Sequence, residues 1–239
     1  MAALLVVGAA WSPVRRGTWA LRALAVAAVV MGVSGALAQA GVLADLDARP
    51  PPVALLLVAT SIGMGVLAFS TFGDRFLQLP LAVLVGFQAF RIAVGLLLAA
   101  SSTAGIVPIE VSYHGLNFDV VTGVLGLVLG VWLWLGSPPR GLVVAWNVLG
   151  LALLATVVGV AATSAFGIFE TEPRMTLPAS WPGVWLPAWL VQVAFFGHLL
   201  VFRALRHDAD GSIESRQAGA ANADLESRTA GLSRPAATT

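Results

Sequence analysis

The chain predicts an all-α fold, a polytopic transmembrane bundle of six helices. Three observations carry that expectation. Hydrophobic residues make up 58% of the chain and charged residues only 10%, with a mean hydropathy of +0.89; a soluble domain is nearer one quarter charged. Six stretches are long and apolar enough to cross a bilayer, which takes about 20 mostly apolar residues. No stretch alternates apolar and polar residues as a membrane barrel strand does. A backbone in hydrocarbon must satisfy its polar groups internally, so the runs are expected to be helices.

The elements follow in order. Residues 1–22 form an N-terminal cytoplasmic segment; residues 1–11 are apolar but too short to span alone. Span one covers 23–44. Arg15 and Arg16, an apolar core, and Ala36-Leu37-Ala38 before Gln39 also look like a secretory signal cleaved between Ala38 and Gln39. Against that, the apolar region runs ~22 residues, beyond the usual ~7–15 of a signal core. Span two is 50–73. Span three is 76–109, broken only by Arg91. Spans four, five and six are 120–139, 141–169 and 175–202. The transmembrane domain is thus 23–204. Residues 205–239 have almost no large apolar side chains and too little to bury, so a disordered cytoplasmic tail is expected.

Membrane-proximal arginines fall on alternate sides. Arg15, Arg16, Arg22, Arg75, Arg140, Arg203 and Arg206 lie on one side, and Arg49 and Arg174 on the other. The positive-inside rule then places both termini in the cytoplasm of a bacterial cell membrane. All basic residues are Arg, so no lysine is present for Schiff-base chemistry. The absence of cysteine excludes disulfides, thiolate metal sites and cysteine nucleophiles. A net charge of +1 without a basic stripe gives no nucleic-acid surface. The three histidines are scattered by the topology, so no metal site is expected, and nothing points to a cofactor. The lipid bilayer is the expected partner, with a membrane protein or a second copy of the chain as a further one.

Polar residues inside the spans are the candidate ligand-binding positions. Gln88 and Arg91 lie three apart on span three and share a helix face. A charge at that depth costs roughly 2.5–3.5 kcal/mol on insertion scales and normally faces a partner inside the bundle. At ~1.5 Å per residue, Arg91 and Gln192 lie at matched depths of roughly 14 and 12 Å below the outer surface. Asn147 and His198 form a second level, about 9 Å from the cytoplasmic end. Asp119 sits at the outer mouth of span four and can pair with Arg91 if the preceding loop dips inward. That loop is the densest polar segment, with Glu110, His114, Asn117 and Asp119. Glu110 and His114 could supply acid–base chemistry; Asn117 or Asp119 can cap the next helix. The alternation around Val111 to His114 suggests a short extended piece turned by Gly115. Each intramembrane polar residue also has a plainer use as interhelical glue, worth about 0.6 kcal/mol on average. Trp181, Trp185 and Trp189 at one end, and Trp132 and Trp134 at the other, suit interfacial anchoring. Gly126 and Gly130 permit close helix packing.

Gln88-Ala89-Phe90-Arg91-Ile92, Gly115-Leu116-Asn117-Phe118-Asp119 running on to Thr122-Gly123, Trp146-Asn147, and Val184-Trp185-Leu186-Pro187 followed by His198 occur together. Over residues 44–202 this combination resembles a family of uncharacterised bacterial polytopic integral membrane proteins. The resemblance implies that Gln88, Arg91, Asn117, Asp119, Trp146, Asn147, Pro187 and His198 hold the motif positions; it implies no activity. The chain departs from the pattern at Gly95, where an acidic residue is usual, and at His114 and Leu116, where Glu and Arg are usual. The departure at 95 removes an i, i+4 partner for Arg91.

Three functions fit. One is a structural or accessory subunit of a membrane assembly. Another is a small-solute permease, binding protein or sensor centred on Arg91. The third is an intramembrane enzyme using the outer-loop residues. Motifs for nucleotide binding, metalloprotease or serine-hydrolase chemistry are absent.

Overall fold

The computed structural model describes residues 16–207, and among them only helices and turns occur. Helix α1 is Arg16–Gln39, α2 is Pro52–Ala68 and α3 is the short Thr71–Phe76. Helix α4 is Leu81–Thr103, with a 3-10 segment at Phe87–Ala89. Helix α5 is Asp119–Leu135 and α6 is Arg140–Ala165. Helix α7 is Leu186–His207 and opens on a π-helical turn, Leu186–Leu190. The described residues fall into two units, one ending at Phe202 and one beginning at Arg203; of the second, only the continuation of α7 is described. The N-terminal residues 1–15 and the tail beyond 207, where a disordered segment is expected, lie outside the described residues.

Among the described residues, four helices are long and apolar enough to cross a membrane: Leu21–Gln39 within α1, then α4, α6 and α7. Helices α2 and α5 are apolar but 17 residues long, about 25 Å at 1.5 Å per residue. The apolar runs in the sequence are therefore longer than the helices they contain. Span two stops at Ala68, and Ser70 starts the separate α3 by accepting from Phe72 N–H through its Oγ. Span three begins only after Pro80, and ends before Gly105 at φ +70°, a left-handed position that suits glycine. The first ten residues expected in span six are irregular, turns and a 3-10 segment, because Pro178 and Pro182 interrupt a helical ladder there.

Small residues set the approach of α4 to α5. A Cβ added at Gly130 would lie 2.7 Å from Gly86 Cα, and one at Gly126 would lie 2.9 Å from the Trp146 ring. Gly123 faces Ile92 in the same way, and Gly95 faces Val120. The two helices therefore run antiparallel with residue 95 opposite 120. Helix α4 continues to Thr103, about 12 Å farther, so residues 104–118 fold back inward to reach the start of α5. The segment expected to be extended is a 3-10 turn, Ile109–Val111, followed by further turns. Among the described residues no strand lies beside it, and its backbone polar groups are satisfied locally. Leu116 N–H donates to Glu110 O, and Asn117 Nδ2 donates to Val111 O at 2.9 Å.

Helix α1 is fastened at its C-terminal half. Trp185 Nε1–H donates to Met31 O at 3.0 Å, and the Trp181 and Trp185 rings meet edge-to-face against Gly35. Trp185 is thus a clamp between helices rather than a free interfacial anchor. Ala38, the residue before the signal-like cleavage point, is buried with Leu43, Leu46, Val53 and Ala188.

Candidate functional site

Arg91, Asp119, His198 and Asn147 meet in one hydrogen-bonded chain at the centre of the bundle. Arg91 is 1% exposed and Asn147 and His198 are fully buried. The Arg91 Nε–H donates to Asp119 Oδ2 at 2.7 Å, and Nη2 donates to Asp119 Oδ1. Nη2 also donates to the carbonyl of Gly150 at 3.1 Å, and Nη1 to His198 Nε2 at 2.7 Å. A guanidinium has five N–H groups and no acceptor; four are committed here. Because His198 Nε2 accepts from a cation, the imidazole proton is assigned to Nδ1, which donates to Asn147 Oδ1 at 2.7 Å. The Asn147 amide closes the loop by donating to His198 O at 3.0 Å. Removed from water, the charge is balanced by a carboxylate and nearly all its donors are filled, the condition under which a buried ion pair is tolerated.

Local structure places each member. The inward return of residues 104–118 brings Asp119 to the first turn of α5, and Asn117 Oδ1 accepts the Asp119 N–H at 3.0 Å. Asn117, one residue before the N-cap Phe118, thus satisfies the first N–H of α5 while the Asp119 side chain goes to Arg91. Gly150 admits His198: a Cβ there would lie 2.8 Å from Nε2 and 2.7 Å from Thr122 Cγ2. Trp146 Nε1–H donates to Thr122 O at 3.1 Å and its ring packs on His198.

Two depth expectations are corrected. Asn147 and His198 are not a separate level, because the long Arg91 side chain bridges to His198 directly. Gln192 is not a partner of Arg91; it follows the π-helical turn and its Nε2 donates to Pro187 O at 3.0 Å. Gln88 likewise turns away, donating to Ala194 O at 3.0 Å. Gly95 is required by the packing, since any side chain there would overlap Val120. Glu110 and His114 stay in the loop: the His114 ring lies on Tyr113, and Glu110 Oε2 is buried without a hydrogen-bond partner. Neither reaches Asp119 among the described hydrogen bonds. Sequence reasoning missed Gly150 and Thr122. Gly150 had a faint signal, lying three residues after Asn147 on the same helix face.

Beside the network lies a cavity of ≈110 Å³ between α2, α4, α6 and α7. Its polar lining is Arg91, Asn117 and Asp119; the rest is apolar, with Leu57, Val94, Val158, Ala162 and Leu190 prominent. No family model, curated protein or solved structure matches this chain.

Proposed function

We propose that this chain is a six-span protein of a bacterial cytoplasmic membrane, with both termini cytoplasmic, and that it works as a structural or accessory membrane subunit. The observation that carries this reading is the guanidinium with four of its five N–H groups already filled. With Asp119, Gly150 O and His198 all on Arg91, little of its charge is left for an anionic solute. Several features support the placement. The 17-residue α2 and α5 fall at the short end of the spanning range of about 17–25 residues. Helix α5 turns Val128, Val131 and Leu135 outward, as a lipid-facing surface would. The arginine distribution supports the same topology.

The test is thermal melting of the purified chain in detergent across inorganic anions and small carboxylates. No anion is expected to raise the melting temperature. An anion that stabilises the wild type, but not an Arg91→Leu/Asp119→Leu double variant, would overturn the reading in favour of a permease or sensor for charged solutes. The cavity beside Arg91 favours one second reading, a binding protein for an uncharged ligand.

A further inference from the structure

We infer that the cavity holds one hydrocarbon chain of a membrane lipid, inserted between α2 and α6 as a stoichiometric part of the folded protein. The inference rests on the membrane placement proposed above and deepens the binding reading by naming the ligand class.

Shape is the first argument. The cavity follows α6 from Leu154 to Ala165, about 16 Å at 1.5 Å per residue. A volume of ≈110 Å³ is smaller than the compact void of about 150 Å³ that accepts one benzene, so the enclosed part takes only the end of a chain, and the rest of the chain lies along the open side of the slot.

Chemistry is the second. Valine, leucine, alanine and phenylalanine side chains form the walls, and an apolar void of this kind stays dry. At the Arg91 end the polar groups are occupied: the guanidinium and the Asp119 carboxylate neutralise each other. That floor suits the uncharged end of a chain and rejects a charged head group. Access is the third argument. Leu57 of α2 and Val158 of α6 line the cavity while remaining half-buried, so the slot opens sideways between these helices, where the surrounding solvent is lipid. The opposite end is bounded by Phe166 and Met175. Beside them Arg174 ties the loop after α6 to Asp47 in the loop after α1. A lipid head group would sit at that end, at the membrane surface, with its chain running down toward Arg91.

The experiment reconstitutes the full chain in phosphatidylcholine vesicles containing a lipid with a photoactivatable diazirine on one acyl chain. Adducts are mapped by peptide mass spectrometry. Wild type is expected to give adducts at Leu57, Val158 and Leu190, saturating near one chain per protein, and unsaturating adducts at the outward residues Val128 and Val131. Filling the slot with Ala162→Trp should lower the adducts at Leu57 and Leu190 about tenfold relative to Val128, the change expected for a ~1.4 kcal/mol loss of affinity. Val158→Phe, a smaller filling, serves as the second variant, read at the same two residues; normal melting and unchanged Val128 adducts certify the fold of each. Adducts at Val128 without any at Leu57 or Leu190 would overturn the inference and leave the membrane reading intact. Slot adducts that persist in both filled variants would overturn it too. Absence of adducts at Val128 and Val131 as well would mean that the membrane placement itself is wrong, and the inference falls with it.

Discussion

Two arginine–aspartate pairs tie distant parts of this chain together, and they differ almost completely in setting. Arg91–Asp119 has side chains 1% and 10% exposed, whereas Arg174–Asp47 has side chains 38% and 78% exposed. The inner pair adds a carbonyl and an imidazole to the guanidinium. The outer one adds only the carbonyl of Ala165 among the described residues and stands open to solvent. The contrast locates where the energy lies. In a low-dielectric interior an arginine is tolerable only when its shell is complete, so every partner matters. At the surface, solvent replaces any lost partner and the pair is worth little.

The largest effect should come from halving the inner pair. Asp119→Ala leaves Arg91 charged and without its carboxylate, and a buried pair broken in this way typically costs 3–5 kcal/mol. The melting temperature in detergent should fall steeply. Arg91→Leu/Asp119→Leu removes both charges and should recover much of that loss, because apolar replacement of a whole buried pair is often close to neutral. If the double variant melts no higher than Asp119→Ala, the pair is not the unit described here. Arg91→Leu should likewise do more harm than Arg140→Leu, which removes a charge from the first residue of α6.

Next in size is Gly150→Ala. The new methyl would press on the His198 ring and on Thr122, and forced overpacking costs about 1–3 kcal/mol. His198 would be pushed off Arg91, so this single methyl should lower stability nearly as much as losing a partner outright. His198→Phe tests the same link from the other side. It removes the acceptor of Arg91 Nη1 and the donor to Asn147, an expected loss of about 1–3 kcal/mol. A double-mutant cycle between His198 and Asp119 should show coupling, since both fill one guanidinium; strict additivity would mean that the two ends of the network act independently.

These predictions also mark what could be read from residues alone. The cast of the network was legible because polar groups in apolar runs are expensive and therefore conspicuous: Arg91, Asn147 and His198 stand out from their neighbours. The pairing was only half legible. Asp119 could be named as a partner on the condition that its loop turned inward, and the turn depends on residues 104–118 packing Val107 and Val111 against Ala165 and Met175, contacts without periodicity. His198 was assigned to a separate level because depth was counted along helices, without the reach of the arginine side chain. Gln192 was misassigned because nothing local announces a π-helical turn. Span ends failed for a similar reason, since hydropathy measures how apolar a run is and not whether its prolines allow a helix. The cavity left no trace at all, being made by four helices, α2, α4, α6 and α7, of which only the last two are consecutive in sequence.

The smallest effect belongs to the outer pair, and it is the sharpest check on the comparison. Arg174 holds the Asp47 carboxyl below its ordinary value of 3.8, first by the hydrogen bond and then by its charge. A carboxyl lowered on folding adds stability that is fully present above the unfolded value and disappears as pH falls through the folded one. Asp47→Asn should therefore lower the melting temperature only slightly near neutrality in low salt. The difference from wild type should vanish in strongly acidic buffer, where both side chains are neutral, and shrink in high salt, where exposed charges are screened within about 3 Å at 1 M. Should Asp47→Asn instead destabilise as much as Gly150→Ala, and do so at every salt concentration, the strap between the loops after α1 and α6 would be a structural element on a par with the core. Burial would then be the wrong axis on which to rank the two pairs.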